Sequence, residues 1–268
     1  DPILPGKREN IRSVLQDEDI ALLAEVPADA PRPIALPAQT ANANWTQSIG
    51  TPAFRVANPA FGTAPQLLWS AKIGEGDGRK KRINADPVVS GGLIFTLDAG
   101  TQVTATSTSG VIVWQIDLES QRDGSDAATG GGLAAKDGKL YVSLGYGALV
   151  ALDATTGAEI WRQRFEGTAS GAPTAFGDLV YLTSGDDSGW ALRAADGRIE
   201  WQLTASPDNN NVLGAPAPAI TDDLAIFGFG SGEMQAVFRR GGLRRWDASV
   251  LGERFGRALG SIGDVTGS

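Results

Sequence analysis

Ala151-Leu152-Asp153-Ala154-Thr155-Thr156-Gly157-Ala158-Glu159-Ile160-Trp161 decides the fold. It reads as a strand, a tight turn and a second strand. Ala-Leu-Asp ends a short apolar strand, Thr156-Gly157 supplies a turn whose Gly accepts a positive φ, and Ile160-Trp161 opens the next strand. The pattern recurs: Gly110 stands four residues before Trp114, Gly157 before Trp161, Gly197 before Trp201 and Gly242 before Trp246. With Trp69 the tryptophans fall at 69, 114, 161, 201 and 246, so the gaps are 45, 47, 40 and 45 residues. A period in this range marks a repeat architecture.

A second series keeps the same step. Phe95, Tyr141, Tyr181 and Ile226 come after short turns at gaps of 46, 40 and 45. Pro87, Pro173 and Pro218 lie eight residues before three of them, and Leu133 takes that place in the other copy. Each unit reads as four strands: one at the Pro, one at the aromatic, one before the Gly turn and one carrying the Trp. The expected fold class is all-β, a β-propeller of four-stranded antiparallel blades.

Composition agrees. The chain has 268 residues with 35 Gly and 14 Pro, which suits a turn-dense β protein. Its net charge of -8 argues against nucleic acid as a partner, because such a partner needs a basic face. There is no Cys and no His, so disulfides, thiolate nucleophiles, imidazole bases and the commonest metal ligand are all excluded. No apolar run approaches the roughly 20 residues of a membrane-spanning helix.

Residues 1–44 differ from the repeat units. They are Pro-rich and polar, with a short strand expected at Ile11–Leu15 and a helical turn at Glu18–Glu25, and they read as an arm lying on the propeller. Trp45 is out of step, 24 residues before Trp69, and marks the entry into the blades, so the propeller is expected over 45–268. Units begin at Trp69, Trp114, Trp161 and Trp201, with a partial fifth at Trp246. About four and a half blades do not close a ring, so the chain reads as a fragment of a larger propeller.

Few residues suggest chemistry. The repeat tryptophans have two uses, stacking on a planar cofactor or packing between blades. A cofactor needs one site and the chain has five copies, so packing is expected. Trp190 aligns with Val150 instead, and reads as a partner anchor or as a filler in the short third unit. Arg79-Lys80-Lys81-Arg82 is a basic run suited to a solvated loop or to an acidic partner. Gly74-Glu75-Gly76-Asp77-Gly78 lacks the Lys-Ser/Thr of a phosphate loop, and Asp186-Asp187 lacks further carboxylates at calcium-loop spacing.

The repeat at 151–161 resembles the quinoprotein, or PQQ-like, propeller motif. Ile3-Leu4-Pro5-Gly6-Lys7-Arg8, Pro33-Ile34-Ala35-Leu36-Pro37 and Asn44-Trp45-Thr46-Gln47 resemble the leader of α-proteobacterial members of the BamB family. That resemblance implies an eight-bladed periplasmic propeller, tethered to the outer membrane by a lipid on a Cys upstream of residue 1. It implies a non-catalytic accessory of the β-barrel assembly (BAM) complex, without cofactor or metal. Its partners would be the POTRA domains of BamA and unfolded outer-membrane proteins. Carried over, the partner-binding residues are Val212, Leu213 and Gly214, before Ala215-Pro216-Ala217-Pro218, and Asp264. Leu213 stands where the family has Arg, Asn210 where it has Leu, and Asp264-Val265-Thr266 keeps only the first Asp of an Asp-x-Asp stretch. Two rival readings are a generic periplasmic propeller scaffold and a PQQ-dependent dehydrogenase. The enzyme would hold PQQ over a Trp beside Ca²⁺, often with a Cys pair, and this chain has no such pair.

Overall fold

The computed structural model describes residues 34–78, 82–118, 131–169, 171–205 and 215–249. Residues 39–268 form one compact unit and residues 1–38 another, of which only 34–38 are described. The strand at Ile11–Leu15 and the helical turn at Glu18–Glu25 fall outside the described residues.

Among the described residues four antiparallel sheets of four strands succeed one another, each in sequential strand order. Blade one holds β1 (Val88–Ser90), β2 (Leu93–Leu97), β3 (Gln102–Ser107) and β4 (Ile112–Asp117). Blade two holds β5 (Gly131–Lys136), β6 (Lys139–Leu144), β7 (Ala148–Asp153) and β8 (Glu159–Arg164). Blade three holds β9 (Thr174–Phe176), β10 (Leu179–Thr183), β11 (Ser188–Arg193) and β12 (Ile199–Thr204). Blade four holds β13 (Ala219–Ile220), β14 (Leu224–Gly228), β15 (Glu233–Phe238) and β16 (Arg244–Ser249). Each sheet starts at the Pro-aligned strand and ends on the Trp strand. Trp69 therefore lies before the first described sheet, and its segment is in none of the four.

The strands bury different amounts because of where they sit. In blade two Leu140, Val142, Leu149, Val150, Ala151 and Leu152 are fully buried, since a middle strand meets a neighbouring blade on both faces. The outer strand β8 buries only Trp161. The same contrast holds for β10 and β12.

One contact recurs between each blade and the next. The Trp114 ring lies on Gly157, Trp161 on Gly197 and Trp201 on Gly242, and Trp69 lies on Gly110 in the same way. The indole nitrogens donate into the same turns: Trp69 to Thr108 O at 2.9 Å, Trp114 to Ala154 O at 3.1 Å, Trp161 to Ala194 O at 3.2 Å and Trp201 to Arg239 O at 3.1 Å. On its own blade each ring meets the aromatic landmark: Phe95–Trp114 at 5.8 Å, Tyr141–Trp161 at 5.9 Å and Tyr181–Trp201 at 5.9 Å. An alanine pairs opposite each Trp, and the ladder shifts register just after it, at Ala105, Ala151, Ala191 and Ala236. Trp246 has no such neighbour among the described residues and is 39% exposed.

The turn chemistry is local. Asp153 Oδ1 accepts from the amides of Thr155 and Thr156 and from the Thr156 hydroxyl, which holds its carboxyl below the ordinary value. Gly197 has a φ of 73°, and a Cβ there would stand 2.5 Å from the Trp161 ring. Gly138 has nearly the same φ of 74° with open space around it.

Three substitutions separate docking from backbone strain. Trp161→Ala is expected to cost about 3–5 kcal/mol. Gly138→Ala meets only left-handed strain, about 1–2 kcal/mol. Gly197→Ala adds the clash and is expected to cost clearly more than Gly138→Ala, as read by urea denaturation.

The buried phenols carry a pH signature. Burial pushes Tyr141 up to about 12, with the Asp137 charge adding to it, and burial pushes Tyr181 up to about 12 against the opposing charge of Arg239. Below the unfolded value of 10.0 both states are protonated, so this contribution is fully present; it is lost as pH rises through 10 toward 12. Two of the three tyrosines are therefore expected to resist phenolate formation near pH 11, monitored by ultraviolet absorbance, and stability is expected to fall across that window.

Candidate functional site

Sequential antiparallel order divides the surface of the blades. Turns β1–β2 and β3–β4, with their counterparts, share the rim that holds the docking glycines. Turns β2–β3 and the connections between blades share the opposite rim. The connection β12–β13 contains Val212, Leu213 and Gly214, which lie outside the described residues, as does Asp264. The described ends of that connection, Ala205 and Ala215, are both buried. Of the basic run only Arg82 is described; it pairs with Asp77 at 3.6 Å, and exposures of 65% and 53% make that pair worth little. Asp186 sits in the β10–β11 turn, on this same connection rim.

Asp98 and Asp186 of the connection rim are engaged within the rim itself. Asp98 accepts from the amides of Glu75 at 2.7 Å, Gly100 at 2.8 Å and Gln102 at 2.7 Å. Gly74, at a φ of 136°, leaves room for that carboxylate, since a Cβ would stand 2.2 Å from Asp98 Oδ2. Ser184 Oγ donates to Asp186 and accepts from Trp190 Nε1 at 3.1 Å. Trp190 packs half-buried on Phe165, just past β8, with ring centres 5.0 Å apart, so it fills the junction between the second and third blades. Among the described residues no three of His, Cys, Asp and Glu converge as a metal cage.

Tyr146 ties the rim between the first two blades. Its hydroxyl donates to Leu118 O at 2.8 Å and accepts from Arg162 Nη1 at 2.6 Å. Arg162 also grips Glu159 through both Nε and Nη2, which raises the guanidinium above its ordinary value. Burial raises the Tyr146 phenol, while the charge and hydrogen bond of Arg162 oppose the rise.

A third surface is the outward edge of the innermost strands, the edge no sheet neighbour covers among the described residues. Trp45 is not in a blade: its amide and carbonyl pair with Val89 of β1 at 2.8 and 2.7 Å. Ala135 N donates to Thr46 O at 2.6 Å, Ala175 N to Gln47 Oε1 at 3.2 Å, and Ile220 N to Pro52 O at 2.6 Å. One segment thus touches β1, β5, β9 and β13. The sequence marks Gln47 only as part of the leader resemblance and gives it no role; the other signal is a Trp out of step with the repeat.

Known proteins share this architecture. Residues 99–268, more than half of the chain, match the family described as outer membrane protein assembly factor BamB. A BamB from Yersinia pestis is 27% identical over 192 residues, which cover 70% of this chain and 49% of the relative. The crystal structure of BamB from Moraxella catarrhalis aligns with a TM-score of 0.53 at 21% identity, over 63% of this chain and 49% of that one. The quinohemoprotein alcohol dehydrogenase of Comamonas testosteroni aligns with a TM-score of 0.61 at 20% identity, over 77% of this chain and 41% of that one. At such identities the structural likeness is one of fold. The chain spans about half the length of the curated relatives it matches.

Tyr146→Phe removes one donated and one charge-assisted bond, so a loss of about 1.5–3 kcal/mol is expected. Differential scanning calorimetry of the variant beside the parent checks it.

Proposed function

The chain belongs to the family described as outer membrane protein assembly factor BamB, and from that membership we propose that it is a non-catalytic accessory of the BAM complex. It acts at the periplasmic face of the outer membrane, held there by a lipid anchor upstream of residue 1. It docks on the POTRA domains of BamA and assists delivery of unfolded outer-membrane proteins. Residues 45–268 are the propeller and 1–44 the leader.

The family match carries this reading. The residue inventory supports it: without His or Cys the chain lacks the usual acid–base and nucleophilic groups. The likeness to dehydrogenases offers a second reading through shared fold. A quinone held by Ca²⁺ calls for six to eight oxygen ligands. The described residues do not offer that set, because Asp98 and Asp186 are engaged by backbone amides and a serine hydroxyl.

The docking residues we propose are Val212, Leu213, Gly214 and Asp264, which supply two aliphatic side chains and one charge. Leu213→Glu and Asp264→Arg are each expected to weaken binding to isolated POTRA domains by about 1–3 kcal/mol. Calorimetry measures this. Asp186 shares the connection rim and is a poor control, so Glu200→Arg on exposed β12 serves instead. Parent-like binding by both rim variants removes these residues from the site.

A further inference from the structure

The repeat places one backbone amide per blade in the same position. Val88, Ala134, Thr174 and Ala219 pair with the landmarks Phe95, Tyr141, Tyr181 and Ile226, so the residues one step on, Val89, Ala135, Ala175 and Ile220, are equivalent. All four donate away from their own sheets, and all four acceptors come from residues 45–52: the carbonyls of Trp45, Thr46 and Pro52 and the carboxamide of Gln47. We infer that these four amides form a binding site for an extended polypeptide, and that residues 45–52 occupy it as a built-in competitor.

The occupant shows the chemistry of the ligand. Three of its four acceptors are main-chain carbonyls, and it pairs antiparallel at Trp45–Val89 and Gln47–Ala134, which is how a strand edge takes up an extended chain. Any polypeptide carries those groups, whereas a compact ligand does not span four blades. Side chains other than that of Gln47 add little, since of residues 44–52 only Gln47 is buried. Even there the match is incomplete, because the buried Gln47 Nε2 has no hydrogen-bond partner among the described residues.

The segment is built to let go. Ile49 and Phe54 hold φ of 57° and 55°, a region that costs a β-branched or bulky residue dearly. Trp45 folds against its own Gly50 and not into a blade. The ends of the loop are tied outside the site, by Thr40 N to Asn58 O at 2.9 Å and Ala60 N to Thr40 O at 2.8 Å. Release of 45–52 therefore leaves its ends anchored, and return is an intramolecular event.

The inference stands on this geometry and not on the family reading, so its failure leaves that reading intact. The test titrates a fluorescein-labelled peptide of residues 43–54 into two proteins, monitored by anisotropy. One is the parent chain. The other has residues 41–58 replaced by a short Gly-Ser linker, with folding checked by circular dichroism. Saturable binding roughly ten-fold or more tighter in the excised protein is expected, because the tethered competitor is gone. A peptide with an N-methylated Trp45 amide is expected to bind about ten-fold more weakly, having lost an edge hydrogen bond. A folded excised protein that binds no better than the parent overturns the proposal. If excision prevents folding, native-state hydrogen exchange on the parent decides. Amides of Val89, Ala135, Ala175 and Ile220 exchanging faster than those of β6 and β10 support it, and equally slow exchange overturns it.

Discussion

A tryptophan ring on a left-handed glycine holds this molecule together. Each outer strand offers one large apolar group, and the next blade offers a turn with no side chain where that ring must lie. The indole hydrogen bond to a carbonyl in the same turn sets the ring's angle, and an aromatic on the ring's own blade backs it at just under 6 Å. The alanine opposite each Trp and the register shift beside it belong to the same device: a small residue and a local twist let a wide ring leave the plane of the sheet. Because the contact is between nearest neighbours, four blades are four solutions of one packing problem. The arrangement needs no disulfide, and the chain has no cysteine to make one.

That contact leaves the rest of the surface free to differ. No blade packs on the connection rim, so its loops vary in length and content while the docking rim repeats. Asp98 binds three amides in blade one, Tyr146 bridges to Arg162 in blade two, and Ser184 joins Asp186 to Trp190 in blade three. The inner edge is the opposite case. The amides that point off it are equivalent by repeat symmetry, and a strand edge left unpaired invites another chain. Residues 45–52 answer with four acceptors from an irregular loop that itself has no repeat.

The blades were legible because their cause is local and recurs. Gly-x-x-x-Trp appears wherever a turn must admit a ring, and the landmark aromatics keep step because they back those rings. Trp190 stayed ambiguous because it occurs once; only its contact with Phe165 shows what it fills. Trp45 was read as an entry into the blades, yet it lies against the edge of β1, because a strand edge recognises backbone groups that every residue carries. The docking residues at 212–214 and 264 rest on resemblance, since no periodic constraint marks them and they lie outside the described residues.

The sequence by itself determined the all-β class, the blade period, the docking pairs and the absence of imidazole and thiol chemistry. Each of these depends on residue type at short spacing. Tertiary structure alone decided that four amides from 89 to 220, on the inner edges of four sheets, meet one segment, that Gln47 caps one of them, and that Asp186 stands on the connection rim. Those facts depend on which strand ends are brought together across blades. Main-chain donors look alike at every residue, and only folding makes a few of them neighbours.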